Sequence, residues 1–483
     1  MGKNRKPFQN NILLCSVIRH CTCCRCVGYA NESIEASEKN QITKKQYMTM
    51  KKLLFMLVCA LLPITLWAQE NEPYAVLSDN NTVLTFYYDD QKAARNGMSV
   101  GPFSSEGERE WNNANIRTSI QNVVFDSSFA NCNSITSTRS WFSNCTGVKS
   151  ITGIENLNTG NVENMAYMFN YCTALESLDL STLNTSRVTD VNGMFHFCSS
   201  LKNLNLNGFN TANVIDMSNM FHACYILPSL DLSSFDTSNV TDMSYMFERC
   251  DLLTSLDLSN FRTPNVTDMH RMFYQCYSLA NLDISNFNSE KVKTTNNMFG
   301  YCYALQNINL GGFSTLNNEN ISDMFARCTS LTTLDLSSFN TSKVTDMDAL
   351  FYMCSSLSTI YVGNGWTTAA VKTAQGDNLF YGCTNLVGGA GTTYDVNHTD
   401  YTYARIDGGS NSPGYLTAGS AYRVVSDFEG NNTPDHWLGA HGDGSILITS
   451  YAYVSAGIYG LSILDDDGNV VASQNNIEII GVR

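Results

Sequence analysis

The sequence predicts an α/β repeat solenoid, with one short strand and one short helix in each 26-residue repeat, a β-rich N-terminal cap and a small β module at the C-terminus. Three observations predict it. Cysteines recur at 172, 198, 224, 250, 276, 302, 328 and 354, each 26 residues after the last, with Cys145 and Cys383 as slightly irregular members. Met-Phe pairs stand four and three places before them, from Met168 and Phe169 to Met324 and Phe325. Leucine follows each cysteine at plus three, then "LDLS" or a relative, as at Leu256 to Ser259, then an aromatic such as Phe235, Phe261 or Phe287.

Taken in chain order, residues 1–49 come first and carry "CTCCRC" (Cys21 to Cys26) after Cys15 and His20. Those letters suit a soft metal, but no apolar core surrounds them, so the stretch reads as an upstream extension rather than a zinc module. From Met50 the chain runs "MKKLLFMLVCALLPITLWAQE": two lysines, an apolar run from Leu53 to Leu62 and a small residue at Ala68. This predicts a secretory signal peptide over 50–68, cleaved near Ala68, and the run is too short for a transmembrane span. Lipidation at Cys59 is the weaker alternative, because Val58 stands where a small residue is expected.

Residues 69–118 read as the N-terminal cap, since "YAVLS" and "TVLTFYYDD" alternate as the strands of a hairpin. The array is expected over 119–417, opening in degenerate form at Val123, Val124, Phe125 and Phe129 and closing near Thr417. Inside a repeat two periods follow one another. Met243, Met246, Phe247 and Cys250 lie at i, i+3, i+4 and i+7, one face of a helix, while Leu256 and Leu258 alternate with Ser255, Asp257 and Ser259 as in a strand. Asp242 is the expected N-cap, with Asn164, Asp190, Asp216, Asp268, Asn320 and Asp346 in the same place. Thr294 breaks that column and predicts a frayed helix start. Neighbouring repeats must bury one another's apolar faces, because none can bury its own.

Residues 418–483 change composition. "SILITSYAYV", "GIYGLSIL" and "VVASQNNIEIIGV" predict strands, and "DDDGN" a turn that lacks the EF-hand ligand spacing. The segment reads as a sorting module or as an incomplete domain.

Eleven cysteines after the signal segment of an exported chain invite disulfides. Helices packed ~8–10 Å apart would keep equivalent cysteines beyond the ~7 Å reach of a bridge, so the column is expected to be buried, free and packed as small hydrophobes. Cys132, outside the register, is the one candidate for a bridge, to Cys145. A linear ladder does not converge on a metal, and no base recurs beside it to make a nucleophile.

Charge narrows the partners. Of 29 Lys and Arg and 44 Asp and Glu, ten and three fall in residues 1–69; the remaining 19 against 41 leave a net of −22. Such a chain repels nucleic acid and anionic lipid.

The unit "NVTDMSYMFERCDLLTSLDLSNF", repeated across 161–362, closely resembles the BspA-like leucine-rich-repeat surface proteins of bacteria, and the flanks extend the likeness to about residues 73–417. "TLNNENISDMF" lacks the usual Val-Thr-Asp, and "VKTTNNMF" the Asp. The resemblance implies a leucine-rich-repeat-like fold in a secreted or surface-exposed protein. Some members are adhesins for host extracellular-matrix proteins or for bacterial surface components. It brings no catalytic residue, cofactor or metal.

Within that frame the variable positions are the candidate contacts. Tyr274, Tyr277, Tyr301 and Tyr303 cluster over two repeats, with Tyr225, Arg249 and Arg327 in related places, and these are residue types that dominate binding energetics. Asp231, Asp257 and Asp283 form part of an acidic ladder on the strand, whose mutual repulsion is expected to be relieved by serine hydroxyls and backbone donors. His196 and His222 share a column but lack a carboxylate ligand beside them. "DHWLGAHGD", with Asp435, His436, His441 and Asp443, has the letters of a hydrolytic or metal site. The reading is a non-enzymatic adhesin; the alternatives are a spacer without a partner, or a hydrolase with its site in the tail.

Overall fold

The computed structural model describes residues 48–53, 70–419 and the strands between 421 and 479. The chain divides into two units, 1–70 and 71–483. In the first, residues 48–53 are helical; the "CTCCRC" tract and most of the signal segment, with its cleavage site, lie outside the described residues.

The second unit opens with the hairpin. Strand β1 (Glu72–Ser78) pairs antiparallel with β2 (Val83–Asp89) and with the short β3 (Met98–Ser99). On its other edge β2 pairs parallel with β4 (Asn122–Phe125), and β4 with β5 (Ser150–Thr152), so the hairpin leads directly into the parallel stack. An aromatic knot closes this end: Phe86 stacks on Phe125 at 4.7 Å and on Trp141 at 5.0 Å. The buried Arg109 guanidinium donates to the carbonyls of Trp141 and Ser143. Its planar fork thereby satisfies buried carbonyls at the mouth of the array.

Beyond the cap, the expected helix is absent from every repeat. Among the described residues of 119–419 there is no α-helix, and the segment 243–250 is a pair of tight turns. The N–H groups show why. Those of Met246, Glu248 and Cys250 reach only three residues back, to Met243, Tyr245 and Phe247. Those of Met243, Tyr245, Phe247 and Arg249 leave the repeat altogether and donate to Asp268, His270, Met272 and Tyr274 of the next one. Ser244 N–H goes to the Asp242 carboxylate at 2.8 Å. All eight N–H groups from 243 to 250 are thus satisfied without one helical i to i−4 bond.

The same alternation recurs in the other repeats and requires a left-handed residue five and one places before each cysteine from Cys145 to Cys354. Tyr245 (φ 58°) and Arg249 (φ 59°) fill those places here, as Tyr167 and Tyr171 or Arg271 and Gln275 do elsewhere. Left-handed backbone costs a non-glycine residue about 1–2 kcal/mol. The inter-repeat hydrogen bond made by that same residue's N–H, at roughly 1 kcal/mol, offsets much of it.

The asparagine and aspartate column caps these turns rather than helices. Parallel bridges run Asn164 to Asp190, Asp216, Asp242, Asp268, Thr294, Asn320 and Asp346 without a gap. Thr294 does not fray, although its hydroxyl donates to the Asn296 side-chain oxygen at 2.7 Å instead of accepting a backbone N–H; Met269 N–H still donates to its carbonyl. One strand per repeat is also too many. The "LDLS" segments pair as β6 with β7 (Ser177–Asp179, Asn203–Asn205), β8 with β9 (Asn281–Asp283, Asn307–Asn309) and β10 with β11 (Thr333–Leu336, Thr359–Val362). At 229–233 and 255–259 no strand forms, although Leu256 and Leu258 stay buried. Continuity comes from the turns.

Inside the stack the columns pack as the sequence pattern requires. The phenylalanines lie ring on ring, for example Phe221, Phe247 and Phe273 at 5.7 and 5.5 Å with planes within 10°. A second polar column, unremarked in the sequence, lines the opposite corner: Thr185, Thr211, Thr237 and Thr263 are buried, and each hydroxyl donates to a carbonyl of the next repeat at 2.6–2.9 Å. At the far end β12 (Thr417–Ala418) adds to β11, and Tyr415 packs edge-on against Phe380 at 5.1 Å. The tail strands form an antiparallel sheet in the order 446–448, 436–440, 421–426, 457–464, 470–479.

Candidate functional site

Turn-to-turn hydrogen bonding sets the spacing of every side-chain column at strand-like ~4.8 Å rather than helix-like ~8–10 Å. Equivalent cysteines therefore fall within bridging distance, and the distance argument for free thiols fails. Parallel side chains keep the Cβ atoms at the same ~4.8 Å, beyond the ~3.5–4.5 Å of a bridge, and each thiol is hydrogen-bonded instead. The Phe221 carbonyl accepts the N–H of Cys224 at 3.1 Å and the thiol of Cys250, in the next repeat, at 3.3 Å. The pattern repeats from Cys172 to Cys383, so each Sγ–H fills the second lone pair of a buried carbonyl.

All eleven cysteines between 132 and 383 are buried, and none is joined in a disulfide. Cys132 is not bridged to Cys145; its sulfur lies 3.4 Å from the Ser134 hydroxyl. Burial pushes the thiols of Cys224, Cys302 and Cys354 up to about 12, and Cys250 and Cys276 well above the ordinary value. None of these five is a thiolate nucleophile at neutral pH.

The predicted contact residues separate into two rows. Tyr274, Tyr277, Tyr301 and Tyr303 do converge: Tyr277 stacks on Tyr303 at 5.2 Å, Tyr274 meets Tyr301 edge-on at 5.4 Å, and Tyr301 meets Tyr303 at 6.1 Å. Cations bind their faces. Arg271 lies 4.7 Å over Tyr274, Arg327 lies 5.3 Å over Tyr301, and Arg249 lies 4.7 Å over Tyr225. Farther along, Tyr171 stacks on Phe197 at 4.5 Å and Tyr352 on Tyr381 at 5.4 Å, making a half-exposed aromatic and arginine strip.

Asp231, Asp257 and Asp283 stand in the other row, on the strand side, and are exposed. Each accepts the backbone N–H two residues on, from Ser233, Ser259 and Ser285, at 2.9 Å. These backbone bonds, with the serine hydroxyls, hold Asp231 and Asp257 below the usual carboxylate range. The turn-forming role is the one their geometry fills.

One residue in the strip carries no signal in the sequence. Glu248 is 5% exposed, yet its Oε2 has no hydrogen-bond partner in the chain. Arg271 approaches Oε1 at 3.6 Å and His222 at 3.9 Å, both beyond hydrogen-bond length. Burial pushes its carboxyl up to about 7, against the pull of Arg271 and Arg249. His222 is pushed down to about 3 by burial and the neighbouring His196, and His196 to about 4 by burial. Both imidazoles are neutral at pH 7. Their ring centroids lie 4.6 Å apart with planes tilted at 44°, and among the described residues no group of three or more acidic, histidine or cysteine side chains is arranged to hold a metal. For the tail candidates, Asp435, His441 and Asp443 lie outside the described residues, and His436 is described only as part of a strand.

A family profile described as "Mycoplasma protein of unknown function, DUF285" matches residues 111–227, 202–308 and 281–392, more than half of the chain. The chain belongs to that family. The three matches overlap along the array. No curated protein matches. Solved structures similar to it include a leucine-rich repeat protein from Eubacterium ventriosum, at 14% identity over 62% of this chain and 92% of that one, TM-score 0.19. The leucine-rich repeat protein of T. pallidum matches at 11% over 55% and 89%, TM-score 0.19. The functional domain of InlJ from Listeria monocytogenes, which includes a cysteine ladder, matches at 11% over 72% and 90%, TM-score 0.12.

Proposed function

We propose that this protein is a non-enzymatic binding scaffold, exported to the cell surface, that holds a protein partner against the aromatic and arginine strip. The observation that carries the reading is the strip itself: tyrosines and arginines, the types most often decisive at interfaces, half-exposed over successive repeats. Cation–π pairs over Tyr225, Tyr274 and Tyr301 restrain these side chains before binding, which lowers the entropy lost on association. Asp231, Asp257 and Asp283 form a second row that suits basic groups of a partner. The likeness of the repeat to BspA-like surface proteins favours an adhesin, with host matrix proteins or bacterial surface components as partners, and the segment 50–68 supplies the export signal.

Solid-phase binding of the purified protein to a panel of matrix proteins and bacterial cells tests this. Changing Tyr274, Tyr277, Tyr301 and Tyr303 together to alanine is expected to weaken capture at least about a hundredfold, since two decisive tyrosines at ≥2 kcal/mol each would suffice. Equal capture of variant and wild type removes the strip as the binding face. Capture of nothing in the panel favours a spacer.

A further inference from the structure

The geometry points to a second binding site, a neutral glycan groove on the turn edge, apart from the tyrosine strip. A shallow groove of about 920 Å³ runs along the array between two columns, lined by Arg187, Asn213, Asn239 and Lys291 on one side and by Ile215 and Thr241 among others on the opposite side. It spans six consecutive turns, ~24 Å at ~4.8 Å per turn.

Its central polar groups are held in place by the chain. Asn213 and Asn239 donate their amide nitrogens to the carbonyls of Ser186 and Ala212 at 2.7 and 2.8 Å. Neither amide oxygen accepts a bond from the chain, and each amide nitrogen keeps a second N–H for a ligand. The hydroxyls of Thr189, Thr241 and Thr267 donate inward, to the carbonyls of Glu163, Ile215 and Thr241 at 3.1–3.2 Å, and present lone pairs to the groove. The cations at the ends are occupied: Arg187 holds the Asn161 amide oxygen at 2.9 Å and Lys291 that of Asn265 at 2.7 Å.

A ligand for this surface must bring groups that both donate and accept, at short, regular intervals. An extended peptide does not suit it, because its carbonyls on one edge recur every two residues, ~6.6 Å, out of step with the ~4.8 Å of the turns. A polyanion does not suit it either, because the Glu163 carboxylate lines the groove as well and the chain carries a net charge of −15. A polysaccharide hydroxyl can donate to each fixed oxygen, while Ile215, 49% exposed, and the threonine methyls offer apolar contact for the C–H faces of sugar rings. The open, elongated shape suits the interior of a chain rather than a single sugar.

Affinity gel electrophoresis of the whole chain in soluble β-glucan, mannan, galactan and polygalacturonate tests the assignment. Retardation by at least one of the three neutral polymers, unchanged in about 0.5 M salt, is expected. The double variant Asn213→Leu with Asn239→Leu should weaken it about tenfold, as loss of two neutral hydrogen bonds implies, while the four-tyrosine variant migrates as wild type. Should the double variant lose its native melting transition, Thr241→Val serves in its place, with a severalfold weakening expected. No retardation in any neutral polymer, retardation in polygalacturonate alone, or equal retardation of the groove variants overturns the proposal. Such failure leaves the protein-binding role of the tyrosines where it stood.

Discussion

Replacing Phe247 with alanine is expected to destabilise the array by ~3–5 kcal/mol, the cost of emptying a fully buried aromatic position. The ring sits between Phe221 and Phe273, stacked on both, so two aromatic contacts worth roughly 0.5–1.5 kcal/mol each go with the buried area. Because each repeat contacts only its neighbours, the loss falls at one interface in the middle of the array. Urea denaturation followed by circular dichroism should show an earlier transition, or one that divides into two phases. A change below about 1 kcal/mol would mean that the ring column is not what joins the repeats.

The second large effect depends on pH. Glu248 has a carboxyl raised from an ordinary 4.5 to about 7, so the folded protein binds this proton more tightly than the unfolded chain does. Its contribution to stability is fully present below about pH 4.5 and is lost as pH rises through 7, by ~3 kcal/mol for a shift of this size. Glu248→Gln keeps the shape and removes the titration. Wild type and variant should therefore be nearly equal in stability at pH 4 and diverge as pH rises, with the variant ahead by ~2–3 kcal/mol at pH 8. His196 and His222, held down to about 4 and 3, act in the opposite sense: their contribution is present above about pH 6.5 and lost as pH falls through those values. Both chains share it, so it cancels in the comparison. Stability curves for the two proteins that stay parallel from pH 4 to 8 would contradict the buried, unpartnered state of Glu248.

Much of this was legible in the sequence, and the parts that were not share a cause. The 26-residue period, the Met, Phe, Cys and Leu columns and the hairpin cap follow from residue type alone, and every one of those core positions named for residues 243–258 is buried. The helix was misread because Met243, Met246, Phe247 and Cys250 fall on one face of a tight double turn as well as of a helix. The discriminating residues, Tyr245 and Arg249, are left-handed without being glycine or asparagine, so nothing in their chemistry announces it. Their conformation is imposed by neighbours 26 residues away. The same holds for the thiols: their freedom is expected from helix spacing, whereas the turns bring them closer, as parallel side chains whose thiols bond the Phe carbonyls of the preceding repeat. Glu248 stayed hidden because its column holds His222 before it and Tyr274 after it, a polar sequence context that reads as exposed. The threonine column at 185, 211, 237 and 263 was open to inspection as a recurrence, but a polar residue in a core column runs against the apolar pattern used to find one.

Thiol labelling tests the central claim, that hydrogen-bonded turns bury a ladder of free cysteines. With a maleimide reagent and no reductant, the native chain from residue 70 onward should leave its eleven cysteines unlabelled, and the same chain in guanidinium should take up eleven equivalents. Rapid labelling of the native ladder, or a deficit after unfolding that shows paired sulfurs, would contradict it.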